Sequence, residues 1–280
     1  MNTTLRISNG DFRKISDLVY ERAGINLHDG KKQLVQARLG KIIRKEGLGG
    51  FRQYYDEIVN DSTGQRLVQL LDTLTTNHTY FYRESDHLKW LSGTILPEVI
   101  QLNQKEGGSE VRIWSAGCSS GEEPYTIAIH LMNSGVLPSR FRLKILATDL
   151  STKVIQDARK GIYKAEKLQK IPARIMHRYF RRLRTENGGY YQVRQQVREL
   201  ITFRKLNLLD SFPFRRQFDV VFCRNVMIYF DKQIQQKVVD KMYRTVKTGG
   251  YFVVGHSESL SGVSHQFKYI APTIYKKISS

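Results

Sequence analysis

The stretch Val111–Tyr125, VRIWSAGCSSGEEPY, constrains this chain more than any other. Val-Arg-Ile-Trp reads as a short buried strand, Gly117 to Gly121 as a turn of small residues, and Glu122 onward as the start of a helix carrying Ile127, Ala128, Ile129, Leu131 and Met132. A strand, a glycine turn and a helix N-terminus place backbone N–H groups beside a cleft at the strand's carboxyl end. Glycine lets the backbone approach a ligand with no Cβ in the way. A phosphate would suit such a helix start, but Glu122 and Glu123 stand there instead. They complement the helix dipole, would repel a pyrophosphate, and would accept hydrogen bonds from hydroxyl or ammonium groups. That favours a cationic adenosine cofactor, S-adenosylmethionine, over a nicotinamide dinucleotide. The turn alone also fits a plain tight connection.

At 280 residues the chain can bury a real core, as one large domain or two modest ones. No apolar run approaches the ~20 residues of a membrane helix, so no membrane insertion is expected. The N-terminal MNTTLRISNGDF lacks an apolar signal region. Cys118 and Cys223 stand at expected strand ends without metal-ligand spacing. Reduced thiols, a cytoplasmic location and no metal are the expectations. The formal charge of +19 implies a polyanionic partner, whether nucleic acid, an acidic protein surface or anionic lipid. The excess is concentrated: residues 153–205 hold 15 Lys/Arg against 4 Asp/Glu, whereas residues 1–77 hold 12 against 9.

The first ~75 residues read as four short helices. Ser8 suits an N-cap, Phe12, Ile15, Leu18 and Val19 form a stripe, and Gly24 closes the helix. Asp29 is expected to cap a second helix over Lys31–Lys45, with Val35, Leu39, Ile42 and Ile43 on one face. Lys31, Arg38, Lys41 and Lys45 flank that face as a basic ridge, fit for an acidic helix or a nucleic-acid backbone. Phe51–Val59 and Gln65–Leu74 complete the set. The polar, aromatic TTNHTYFYRE at 75–84 has no clean period and suits a cleft wall. In it Arg83 offers a fork for a carboxylate, or pairs with Glu84 or Asp86, and His78 reads as structural or exposed.

After a helix near Asp86–Asn103, strands alternate with helices, as in a parallel, doubly wound sheet. The strand Leu143–Thr148 ends in Asp149, which can accept both hydroxyls of a ribose or cap the helix Ser151–Ala158. Gly161–Arg184 reads as helical and basic. Tyr190–Arg194 and Val197–Ile201 read as antiparallel strands beside an Asn187-Gly-Gly189 turn, so residues ~163–200 are an inserted subdomain. FDVVFC at 218–223 is apolar throughout, as a strand covered on both faces should be. It delivers Arg224, Asn225 and Tyr229 to the ligand-binding end of the sheet. Asp231 should cap the helix Gln233–Val246, the strand Tyr251–Gly255 follows, and Phe267–Lys276 closes the sheet. The closing antiparallel pair after five parallel strands favours a methyltransferase layout over a dehydrogenase one.

In order, the chain carries TTNHTYFYRE, WSAGCSSGEEPYTIAI, ATDL, NLL, FCRNVMIYFD and GHSES. Together these resemble the chemotaxis-receptor methyltransferases (CheR), over nearly the whole chain. The resemblance implies an α/β, Rossmann-like, doubly wound S-adenosylmethionine-dependent methyltransferase fold with an N-terminal helical domain and an inserted small antiparallel β-subdomain. The boundaries expected are a helical domain at 1–76, a cleft-forming linker at 77–90 and a methyltransferase domain at 91–280. It implies methylation of glutamate side chains on acidic cytoplasmic helices of chemoreceptors, S-adenosylhomocysteine as product, no nucleic-acid partner and a monomer. By motif, Asn77, Thr79, Arg83, Glu123, Asp149, Asn207, Leu208, Arg224 and Asn225 would contact the cofactor. Arg83 and Tyr229 would place the substrate glutamate, and Arg38, Lys41 and Lys45 would dock the receptor helix. This chain departs at His78, where the family has Glu. Some members grip a receptor's C-terminal tether peptide with a longer glycine-containing loop in the β-subdomain; the turn here is short. The rival readings are a nucleic-acid methyltransferase, which the charge favours but for which Asn225-Val-Met-Ile lacks a base-stacking Pro-Pro-aromatic signature, and a non-catalytic cofactor-binding adaptor.

Overall fold

The computed structural model describes residues 5–75, 78–183 and 189–279. Asn77 and most of the Asn187–Gly189 turn lie outside them. The chain divides into two compact units, one of Met1–Asn77 with Tyr229–Ile234, the other of His78–Ile228 with Gln235–Ser280.

The first unit holds α1 (Asn9–Ala23), α2 (Lys32–Lys45), α3 (Phe51–Asn60) and α4 (Gln65–Leu74). The Ser8 side chain accepts from the Asp11 amide, and Gly24 closes α1 in the left-handed region. Asp29 is no side-chain cap: Asp29–Lys31 form a 3₁₀ turn that runs straight into α2. Its backbone already supplies the start that a capping carboxylate would have stabilised. Phe12, Ile15, Val19, Val35, Leu39, Ile43, Tyr54 and Leu70 fill the core, and Ile42 stays at its edge. Segment 229–234 is stitched to this unit by an Ile25–Phe230 bridge and by the Tyr20 hydroxyl, which donates to Asp231 at 2.7 Å.

The second unit opens with α5 (Asp86–Trp90), a π-helical turn (Leu91–Ile95) and α6 (Leu96–Lys105). It continues through β1 (Glu110–Ala116), α7 (Glu122–Ser134), β2 (Arg142–Asp149), α8 (Thr152–Lys160), β3 (Ile162–Lys164), α9 (Ala173–Tyr179), β4 (Phe180–Leu183), β5 (Tyr190–Val193), α10 (Gln195–Arg198), β6 (Ile201–Lys205) and β7 (Phe218–Cys223). The chain ends in α11 (Lys232–Thr245), whose first residues belong to the other unit, then β8 (Val246–Val254), β9 (Lys268–Ala271) and β10 (Ile274–Lys276). The main sheet runs β6-β2-β1-β7-β8-β10-β9, with five parallel strands and an antiparallel β10 and β9 at one edge. All six residues of β7 are buried. Strand order reverses between β1 and β7, the switch point at which an open α/β sheet binds ligands.

The inserted subdomain is a three-stranded sheet, β3-β5-β4. Val197–Ile201 is not one of its strands. Residues 195–198 make a helical turn with Val197 buried, and Ile201 instead pairs parallel with Ile145 of β2. Nor is Gly161–Arg184 helical throughout, because it contributes β3 and β4 on either side of α9. Strands of three or four residues hold only one inward side chain each, here Tyr163, Phe180 and Val193, too few for an alternation to show in sequence.

Candidate active site

Three loops of the second unit meet at the carboxyl ends of β1, β2 and β7. The first is the turn Gly117–Gly121. Gly117 has φ +80°, and a Cβ there would stand 2.3 Å from Val226 Cγ2. Gly121 has φ +94° and would press on Ala158 and the Tyr163 hydroxyl. Only glycine keeps these backbones so close. Asp149 at the tip of β2 holds the turn, accepting from the amides of Ser119 (2.8 Å) and Ser151 (3.0 Å). The cap of α8 is Ser151 itself, through the Val154 amide. The inserted sheet braces the turn from the other side, where the Tyr163 hydroxyl donates to the Ser120 carbonyl at 2.7 Å and Lys167 pairs with Glu122 at 2.6 Å.

The two glutamates of the turn are therefore not open acceptors. Glu122 is fully buried on Lys167 and Ser120. Glu123 accepts from the Ser115 hydroxyl at 2.7 Å and from Arg224 at 3.1 Å. Burial pushes the Glu123 carboxyl up, and the Arg224 charge opposes it without prevailing.

The second loop follows β7. The Arg224 side chain is 4% exposed. It donates to Glu84 Oε2 (3.0 and 3.2 Å), to Glu123 and to the Arg83 carbonyl (2.6 Å). One guanidinium thus joins the linker, the glycine turn and β7. Burial pushes the Glu84 carboxyl up, but Arg224 and Asn225 outweigh it and hold it below its ordinary range. Asn225 is left-handed, with φ 60°. It donates through Nδ2 to Glu84 (3.3 Å) and through its amide to Glu258 (2.7 Å).

Glu258 is the residue that sequence reasoning missed. It is 6% exposed, and its carboxylate gathers the amides of Gly255, Asn225, Val226 and Ile228 at 2.6–3.3 Å. It locks the loop after β8 to the loop after β7. Its motif, GHSES, was visible, but nothing local marks a glutamate as the receiver of three distant amides besides that of Gly255.

The linker forms the third loop. Phe81 is buried edge-on to Tyr163 and Phe180. Tyr82 and Glu84 both take left-handed backbones, with φ 60° and 52°. Five non-glycine residues do so among the described residues; four, Tyr82, Glu84, Ser119 and Asn225, lie on these loops. Such strain persists only where the surroundings impose it. Thr79 is half-buried and His78 exposed. The Arg83 guanidinium donates to the His78 carbonyl at 2.9 Å and lies 5.8 Å from the Tyr80 ring centre; its contact with Glu84 is a loose 3.9 Å. Asn207 Oδ1 accepts from the Leu209 amide at 3.0 Å, and Leu208 is buried.

The structure thus brings Glu84, Glu123, Asp149, Arg224 and Asn225 together around the switch point. Tyr229 falls in the helical unit, where its carbonyl accepts from the Asn26 amide at 2.9 Å. On α2, Lys41 and Lys45 are exposed, but Arg38 leaves the ridge. Its Nη1 donates to the carbonyls of Thr73, Leu74 and Thr75 at 2.6–3.4 Å, capping α4. The last carbonyls of a helix lack intrahelical partners, and a neighbouring guanidinium satisfies them.

Residues 77–276 match the family described as CheR methyltransferase, SAM binding domain, and residues 10–75 match CheR methyltransferase, all-alpha domain. The chain belongs to the CheR methyltransferase family. It is 38% identical over 279 residues to the chemotaxis protein methyltransferase of Borreliella burgdorferi, covering 99% of this chain and 97% of that one. It is 36% identical over 277 residues to that of Escherichia coli, covering 98% and 93%. A probable chemotaxis protein methyltransferase of Rhizobium etli is 38% identical over 260 residues, covering 92% and 96%. The cofactor of this CheR fold is S-adenosylmethionine. A glycine turn that admits no Cβ, with the Asp149 carboxylate at the tip of β2, fits a nucleoside with hydroxyl groups. Among the described residues, no helix is long and apolar enough to cross a membrane.

Proposed function

We propose that this CheR chain methylates glutamate side chains on cytoplasmic helices of chemoreceptors, giving methyl esters in chemotaxis adaptation. The observation that carries the reading is the state of the two cysteines and of His87 beside the strand tips. Cys118 and Cys223 are wholly buried, and burial pushes both thiols well up. Burial, helped by Arg224, lowers His87 to about 4, and its Nε2 is tied to Thr273. Neither thiol nor His87 is suited to take a proton from an acceptor such as a hydroxyl. A glutamate, with pKa about 4.3, arrives ionised at pH 7.

Bound S-adenosylmethionine supplies an already activated methyl group. What remains for the protein is alignment and exclusion of water. Asn77, Thr79, Arg83, Glu123, Asp149, Asn207, Leu208, Arg224 and Asn225 would hold the cofactor. Of these, Glu123 and Arg224 act by fixing the loops, since each is already paired. Arg83 or Tyr229 would offer a single contact to one carboxylate oxygen; a tight bidentate grip would blunt the nucleophile. Lys41 and Lys45 would meet the acidic receptor helix, with Arg38 holding α4 in place beside α2. The protein would act as a cytoplasmic monomer.

The deciding experiment is tritiated methyl transfer to receptor-bearing membranes. Base-labile label on receptor is expected; label on RNA or DNA, or none, would sink the reading. Arg83→Ala should reduce turnover at least a hundredfold with the fold intact, and methylation at the wild-type rate would remove Arg83 from the site.

A further inference from the structure

Beside Arg224, the Glu84 carboxylate meets two imidazoles. Glu84, His87 on α5 and His256 after β8 each present a donor atom, all within 4.8 Å of one another. The His87 side chain is 2% exposed, and its Nδ1 has no hydrogen-bond partner. The Thr273 hydroxyl gives its one proton to the Pro272 carbonyl (2.5 Å), so toward His87 Nε2, at 2.7 Å, it can only accept. With Nε2 donating to Thr273, Nδ1 presents its lone pair. That lone pair faces Glu84 Oε2 at 3.6 Å. Arg224 and the His256 amide already donate to that oxygen at 3.0–3.2 Å, but no donor reaches His87 Nδ1, and a buried acceptor left without a partner is costly.

We infer that Glu84, His87 and His256 form a binding site for a divalent transition ion of the zinc class. Zinc bonds to nitrogen and oxygen run ~2.0–2.1 Å, so two ligand atoms at a tetrahedral angle stand ~3.3 Å apart. The 3.6 Å gap is close to that span. The exposed His256 ring, edge-on to His87 at 4.8 Å between centres, closes the third side by a small rotation and leaves a path from solvent. Two imidazoles and one carboxylate select zinc, cobalt or nickel over calcium or magnesium. Thr273 supplies the outer hydrogen bond that such a histidine needs, and it too has a left-handed backbone, φ 64°. Glu84 and His87 stand three residues apart, and His256 reaches them from 172 residues beyond Glu84. A bound ion would tie the linker and α5 to the loop after β8.

The test is titration of the metal-stripped full chain with zinc against a chromophoric chelator, with zinc-edge X-ray absorption. One zinc per chain with imidazole scattering is expected. His256→Ala, at an exposed position that leaves the core intact, should weaken zinc about tenfold or more. Thr273→Val should weaken it about 10–100-fold by freeing the His87 ring. Zinc should raise the melting temperature of the wild type but not of His256→Ala. Absence of stoichiometric binding, or affinity unchanged in both variants, would overturn the site.

Discussion

The strand-tip cluster and the outer face of α2 handle charge in opposite ways. At the strand tips the central charged side chains are inward and engaged: Arg224 is 4% exposed between Glu84 and Glu123, and Glu258 is 6% exposed under four amides. On α2, Lys41 and Lys45 stand in solvent with one sign of charge. Buried charges with fixed partners have their geometry set before any ligand arrives, which alignment chemistry requires. Exposed like charges do little for stability and much for encounter with an anionic surface. Arg38 shows how thin the boundary is. It lies on the same helix, but by turning onto the α4 carbonyls it passes from the second class to the first.

The contrast can be broken in order of expected size. Arg224→Met leaves Glu84 and Glu123 buried without a counter-charge and should cost about 3–5 kcal/mol in chemical denaturation, with cofactor binding lost. Adding Glu123→Gln should return part of that; a double variant no more stable than the single would separate the two residues energetically. Glu258→Ala orphans four amides in two loops and should cost about 1–3 kcal/mol. It should also weaken S-adenosylhomocysteine binding by calorimetry, and unchanged affinity would make the clamp irrelevant to the site. Lys41→Glu with Lys45→Glu should change stability by less than about 0.5 kcal/mol. It should raise KM for receptor several-fold and flatten the salt dependence of the rate. A KM equal to that of the wild type would remove α2 from docking.

The same division explains what could be read from the chain. Elements built from near neighbours were legible: the Ser8 cap, the Gly24 stop, the unbroken apolar run of β7 and the glycine turn after β1 each carry their cause within a few residues. So was the helix cap at Asp231, whose Oδ1 accepts from the Ile234 amide at 2.9 Å. Features that depend on distant partners were not legible. Glu258 reads as one glutamate in a serine-rich loop until Asn225 and Val226 are brought to it. Arg38 reads as a ridge residue until the end of α4 arrives. Val197 to Ile201 has strand-like composition, yet β2 recruits only its last residue. The left-handed turns at Tyr82 and Glu84 have no glycine or asparagine to announce them. Phe267–Lys276 reads as one strand, but Thr273, also left-handed, folds it back on itself as β9 and β10.

The contact between Gly117 and Val226 also restricts how this sequence can change over generations. The turn after β1 and the loop after β7 are separated there by less than one methyl group. Any lineage that enlarges position 117 must first have trimmed position 226, and must still bear an unfavourable backbone angle. The two sites can be crossed in one order only, so drift at the floor of this crevice is slow even where no atom touches a ligand.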